Sequence, residues 1–209
     1  ASVDVIATAS PYSEERTQLG VGVDYLHEKT LLSVDYVNSE EDDYSARTYA
    51  FSVSQDFFGD LSTLRMSYAL GDDEVRNNAD PAFAESVDRH NFSIGLSQVV
   101  TKSWVVELTL ETIIEEGYLN NPYRSVRYYD PGSALGYSYQ PEVYPGTRNS
   151  DAGSLRSIYY LPYRAALRGE YRHFSDSWGV RANNFELRYT HPLAWGLLLE
   201  GKYRYYSQT

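Results

Sequence analysis

Cysteine is absent from the 209 residues. No disulfide framework, thiolate nucleophile or thiolate metal ligand is therefore available, and an oxidising compartment, where a stray thiol is a liability, fits that absence. Long apolar runs are missing too. No segment approaches the roughly eighteen apolar residues of a membrane helix, which excludes a helical membrane protein. Cations are scarce: 18 Lys and Arg stand against 29 Asp and Glu, a formal net charge of −11. Nucleic acid is excluded as a partner, because backbone binding needs a concentrated basic surface.

Catalytic signatures are equally lacking. The histidines, His27, His90, His173 and His191, are scattered. There is no HExxH, no glycine-rich phosphate loop and no GxSxG elbow. His173, Ser175 and Asp176 lie close together, but neighbours in one loop seldom make a triad. Neither an enzyme nor a cofactor is expected.

What is present is alternation. Residues 104–111 place Trp104, Val106, Leu108 and Leu110 on one face and Val105, Glu107, Thr109 and Glu111 on the other. Residues 163–173 set Tyr163, Ala165, Leu167, Gly169 and Tyr171 against Arg164, Ala166, Arg168, Glu170 and Arg172. A period of two is a strand signal, and stretches of about ten such residues are long enough to cross a bilayer as tilted strands. The alternation predicts strands at 1–9, 18–26, 29–37, 46–55, 63–70, 90–98, 104–114, 153–161, 163–173, 183–190 and 195–206.

Short connections are expected at 26–29, 56–62, 99–103, 161–162 and 191–194, and long or very polar ones at 10–17, 38–45, 71–89, 115–152 and 174–182. The two kinds alternate without exception. A soluble sandwich has no reason to gather every long loop at one end, whereas an outer-membrane barrel does. The fold class is therefore all-β: a transmembrane antiparallel up-and-down, or meander, β-barrel of outer-membrane type, located in the bacterial outer membrane. About eleven strands are legible, an odd count for a bacterial barrel, so 1–209 is expected to be one barrel domain that is part of a longer barrel.

The apolar face runs through Leu19, Val21, Val23 and Tyr25, then Tyr49, Phe51 and Val53, then Met66, Tyr68, Phe92, Ile94 and Leu96, to Tyr203 and Tyr205. Tyrosine occurs 21 times, and tyrosine and tryptophan gather near strand ends, as interface girdles do. The opposite face carries Asp24, Asp35, Arg65, Glu107, Glu111, Arg164, Arg168, Glu170, Arg172, Glu186, Arg188, Glu200, Lys202 and Arg204. These are the candidate pore-lining residues. So many ionisable groups cannot occupy a dry core. The interior is either wet or filled by an ion-pair network. Basic groups dominate the last strands and acidic ones the earlier wall, an asymmetry that gives an open pore a transverse field.

Acidic runs at Glu40, Glu41, Asp42, Asp43 and at Asp72, Asp73, Glu74 lack the spacing of a calcium loop and read as solvated loop acids. The segment 115–152 is rich in tyrosine beside proline and arginine. That composition argues against disorder and for a lid or constriction folded on itself or into the pore mouth. Arg124, Arg127 and Arg148 are placed to meet Glu115, Glu116 or Glu142, or to bind an anionic ligand.

Several loop motifs carry a family resemblance: Ala9-Ser10-Pro11-Tyr12, Ser54-Gln55-Asp56-Phe57-Phe58-Gly59-Asp60, Glu116-Gly117 with Leu119 to Tyr128, Ala134 to Pro145, and Tyr160-Leu161-Pro162-Tyr163-Arg164. Through them the whole chain resembles a family of proteobacterial outer-membrane proteins known as a domain of unknown function, DUF3570. The resemblance implies a barrel of about sixteen strands in the outer membrane. It supplies no catalytic residue, ligand or established activity.

Two functions stay open at this point. One is a channel or uptake pore for small charged solutes. The other is a binding or assembly scaffold with a plugged lumen, holding a protein, lipoprotein or extracellular partner through its outer loops. Membrane lipid and lipopolysaccharide are expected partners, with a periplasmic, lipoprotein or extracellular protein as a further one.

Overall fold

The computed structural model describes residues 5–7 and 15–209. Ten strands form one antiparallel sheet: β2 Thr17–His27, β3 Thr30–Glu40, β4 Tyr44–Phe57, β5 Ser62–Arg76, β6 Ala84–Thr101, β7 Trp104–Gly117, β10 Thr147–Tyr160, β11 Ala166–Asp176, β12 Arg181–Pro192 and β13 Leu198–Gln208. Each pairs with its neighbour along the chain, so the topology is a meander. Three short strands, β1 Val5–Ala7, β8 Arg124–Tyr129 and β9 Tyr137–Pro141, form a separate sheet.

Alternation explains which residues meet. Leu64, Leu96, Leu108, Leu155, Tyr171, Phe185 and Tyr205 are successive register partners across seven strands, from β5 to β13. Cross-strand aromatic pairs fill the same face, Tyr36 on Tyr49 at 5.0 Å and Tyr68 on Phe92 at 4.8 Å between ring centres. Nothing covers this face among the described residues: Val23, Phe51, Met66, Ile94, Leu110 and Tyr203 are all exposed. Among the described residues, buried hydrophobic side chains are confined to Val75, Val87, Ala152, Ala165 and Ala182. The apolar surface therefore faces outward as a band, in place of a dry core.

Tight connections fall at one end. Glu28 turns between β2 and β3 at φ 52, and Phe58, Gly59 and Asp60 turn between β4 and β5 at φ 53, 69 and 67. The opposite end carries residues 41–43, 77–83, 118–146 and 177–180.

The structure corrects several sequence expectations. The main sheet has ten strands and not eleven. Of the expected strand 1–9, Val5–Ala7 belongs to the small sheet, and the remainder lies outside the described residues, as does most of 10–17. The 38–45 connection is only 41–43, and 71–89 shrinks to 77–83. Strands continue past the apolar band into a zone where both faces are polar, so the hydrophobic period vanishes while hydrogen-bonded pairing persists. The strand expected at 163–173 begins at Ala166 and the one at 195–206 begins at Leu198. Arg164, at φ 67, sits in the turn between β10 and β11 and lies on neither strand face. The long connection 115–152 reduces to 118–146 and contains the β8–β9 hairpin.

Candidate functional site

The polar face divides into two unlike walls. Across β2 to β6 it carries Gly20, Gly22, Ser33, Ala50, Ser52, Ser67, Ala69, Ser93 and Gly95, with few charges among them. Asp24 accepts a hydrogen bond from the Ser33 hydroxyl at 2.5 Å. Asp35 lies over Gly22, where an added Cβ would collide with its Oδ1. Neither Asp35 nor Arg65 has an ion-pair partner among the described residues.

From β7 to β13 the same face is a ladder of long charged side chains. Glu107, Arg156, Glu170, Glu186 and Arg204 are register partners on five adjacent strands. Beside them runs a basic row, Arg168, Arg188 and Lys202. Like charges directly opposite are destabilising, and here the charges are neutralised by partners both across and along the strands. Arg156 reaches Glu107 at 3.0 Å and Glu170 at 2.9 Å. Arg168 also holds Glu170, at 2.8 Å. Glu186 lies between Arg188 at 3.2 Å and Lys202 at 2.9 Å. Glu200 meets Arg188 at 3.8 Å, and Arg204 donates to Asn184 at 2.7 Å. Arg172 spans β10 to reach Glu111 at 2.7 Å, and Asn91 donates to the other Glu111 oxygen. The basic strands therefore pair largely within themselves and with the acids of β7.

A second belt crosses six strands near the long-loop end. The Tyr44 hydroxyl donates to Asp73, which is only 2% exposed. Arg89 reaches Asp73 at 3.0 Å and Glu115 at 3.3 Å, Arg148 reaches Glu115 at 3.8 Å, and Arg148 donates to Asp176 at 2.6 Å. Burial and the Asp73 carboxylate push the Tyr44 hydroxyl up to about 12, against the opposing pull of Arg89. For Asp176, burial works to raise the carboxyl pKa; Arg148 and the Val180 and Trp178 amides outweigh it and hold the group below its ordinary value. The belt residues Tyr44, Asp73, Arg89 and Glu115 line an open recess of about 690 Å³ together with Arg16, Ser39, Glu41, Ala46, Ala69 and Gly71.

The outer loops are tied into a cap. Tyr123 donates to Asp43 at 2.7 Å and accepts from the Asn78 amide at 3.0 Å, joining three connections through one hydroxyl. Phe83 packs edge-on against Tyr118 at 5.1 Å, and Trp178 stacks on Tyr144 at 5.1 Å with Arg148 over its ring. Arg124 pairs with Glu142 at 3.5 Å, and Arg127 lies over the Tyr137 ring at 5.1 Å. At the hairpin tip, the Ser138 hydroxyl and the Gly132 amide lower the Asp130 pKa.

His173 and Ser175 lie on the apolar face, bonded or paired toward β12 and β10, while Asp176 turns to Arg148; the three do not converge. Sequence reasoning missed Arg156, Asp73, Arg89, Asp176 and Tyr123. Their partners come from strands far away in sequence, and Asp73 and Arg89 stand where alternation of hydrophobicity has already ended. The one local signal was an arginine inside a strand-like run, at Arg156.

The model of a family described as a protein of unknown function, DUF3570, matches residues 1–92 and 77–209. No curated protein sequence matches significantly. Among solved structures, CdiB from Acinetobacter baumannii is similar at 15% identity with a TM-score of 0.55, over 94% of this chain and 35% of that one. The β domain of the Bordetella autotransporter BrkA aligns at 13% identity and a TM-score of 0.43, over 93% of this chain and 84% of that one. This chain thus spans about a third of the CdiB chain, 35%. The CdiB likeness is one of fold: an antiparallel meander sheet of the outer-membrane β-domain kind.

Proposed function

We infer, for a chain that belongs to the DUF3570 family of proteins of unknown function, an outer-membrane scaffold whose outer cap holds a protein partner and whose polar face is an internal brace. The protein resides in the outer membrane, with the apolar band against lipid and the long-loop end outside. Among the described residues β2 and β13 each have one pairing partner, and both are exposed along almost their whole length. Open edges of that kind are costly in lipid, which supports a closed barrel as the form to which the sheet belongs.

The observation that carries this reading is the neutralisation of the charged wall. Six of its carboxylates and arginines, Glu107, Arg156, Glu170, Arg168, Glu111 and Arg172, are bound to one another, all across strands except Arg168 to Glu170, which pair along β11. Charges locked in pairs brace the wall and offer little net field to a passing solute. The cap, by contrast, is held in one shape by three separate ties and presents exposed side chains such as Val143, 83% exposed, and Leu135.

A channel for small charged solutes is the second reading. It is favoured by the small-residue wall and by Asp35 and Arg65, which have no ion-pair partner among the described residues. A photoreactive residue in place of Val143, activated on intact cells, separates the two. The scaffold reading expects one discrete adduct outside the cell; labelling of lipid alone contradicts it.

A further inference from the structure

The cap contains a strand acceptor with one side filled and one side free. In the β8–β9 hairpin, Glu142 N–H donates to Arg124 C=O at 3.2 Å and Asp130 N–H donates to Gly136 C=O at 3.1 Å. Antiparallel alternation then places the inner bonds between Val126 and Gln140 and between Tyr128 and Ser138. Tyr137 and Tyr139, at the intervening positions, aim their N–H and C=O groups away from β8. In the sheet order β1-β8-β9, no strand lies on that side among the described residues. Pro141 closes the edge, having no N–H to offer.

The opposite edge of the same hairpin already takes a strand from far away in sequence. Val5, Ile6 and Ala7 pair antiparallel with Val126, Ser125 and Arg124. Side chains on the free side suit the same kind of guest. Register places Arg127, Tyr129, Tyr137 and Tyr139 on one face, with Tyr129 80% exposed and Tyr137 packed edge-on against Tyr139 at 5.8 Å. Tyrosine and arginine are the side chains enriched at protein interfaces, and rigid tyrosines give contact area at little entropic cost.

We propose that the free edge of β9 receives an extended polypeptide segment of a partner protein as a fourth strand, with its alternate side chains laid against Tyr137 and Tyr139. This deepens the scaffold reading and rests on it. An exposed pair of backbone donors and acceptors is what an extended peptide recognises, and strand addition takes affinity from the main chain and selectivity from alternate side chains. A glycan could stack on the same rings but makes no use of the tyrosine amides.

The test uses the intact protein in lipid nanodiscs, panned against a displayed library of random short peptides, with the enriched peptide synthesised as the probe. Hydrogen exchange on the complex is expected to protect the Tyr137 and Tyr139 amides, which exchange freely without peptide. Tyr139→Pro removes the outward N–H and leaves the bonds to β8, and is expected to weaken binding at least tenfold. Tyr139→Thr keeps the N–H and is expected to bind within a few-fold of wild type. Protection of the Val126 and Tyr128 amides reports that the hairpin stays folded in both variants. Three results overturn the proposal: no peptide enriches over empty nanodiscs; peptide binds and leaves the two amides unprotected; or purified polysaccharide binds in its place. An adduct from the Val143 position together with any of these refutes strand addition and leaves the scaffold standing, whereas loss of the adduct refutes the scaffold.

Discussion

Arg172 on β11 crosses over β10 and meets Glu111 on β7 at 2.7 Å, so that one ion pair spans three strands. With Arg156 clamped between Glu107 and Glu170, it makes the wall a set of overlapping ties. Partly exposed pairs of this kind contribute little singly, and their value lies in the network. Arg172→Ala and Glu111→Ala are expected to couple by about 1 kcal/mol in a double-mutant cycle. Urea unfolding in detergent, followed by tryptophan fluorescence, measures it, and strict additivity of the two losses contradicts the tie.

Ile94 lies mid-band on the outward face, level with Met66 and Leu110. Arginine there faces lipid with no partner, at about 2–4 kcal/mol in the middle of a bilayer. Ile94→Arg should therefore slow or prevent insertion into phospholipid vesicles while Ser93→Arg, on the polar face, inserts. Equal insertion of both variants argues against the band being lipid-facing.

The outer belt carries a titration signature. Tyr44 is raised to about 12, so its contribution is complete below pH 10.0, the ordinary value, and is lost as pH climbs through about 12. Asp176 is depressed, so its contribution is complete above its ordinary 3.8 and disappears on acidification below that value. Ultraviolet difference titration of wild type against Tyr44→Phe should lose one late tyrosinate. Acid titration of Trp178 fluorescence should report the cap loosening only below the ordinary aspartate range.

Much of this was legible in sequence, and the limits are physical. Alternation located the tight turns after β2, β4 and β6, and the positions though not the extents of those after β10 and β12, and put Glu107, Glu111, Arg168, Glu170, Arg172, Glu186, Arg188, Lys202 and Arg204 on one face, because a half-exposed strand writes its period directly into hydrophobicity. It failed above the band. Asp73 and Arg89 read as loop because both faces there are polar, yet β5 and β6 pair as far as Arg76 and Ala84. It failed also at the first residues, since alternation in Val5–Ala7 cannot tell which strand it joins. Pairing choices such as Arg156 with Glu107 depend on register, which no local pattern records.

The cap tie at Tyr123 is open to a single-atom deletion. Tyr123→Phe removes the hydroxyl shared by Asp43 and Asn78 and is expected to cost about 1 kcal/mol locally. Limited proteolysis should then cut within 118–146 faster while the main sheet stays resistant. Unchanged cleavage means that the other ties hold the cap without it.

Ion conductance in a planar bilayer tests the central claim, that the charged face is a brace and not a solute path. The intact wild-type protein is expected to be silent, and Arg156→Glu with Arg172→Glu, which sets like charges beside Glu107, Glu170 and Glu111, is expected to open unstable conductances. Steady, ion-selective openings of the wild-type protein, with selectivity altered by those substitutions, would contradict the brace and establish the pore.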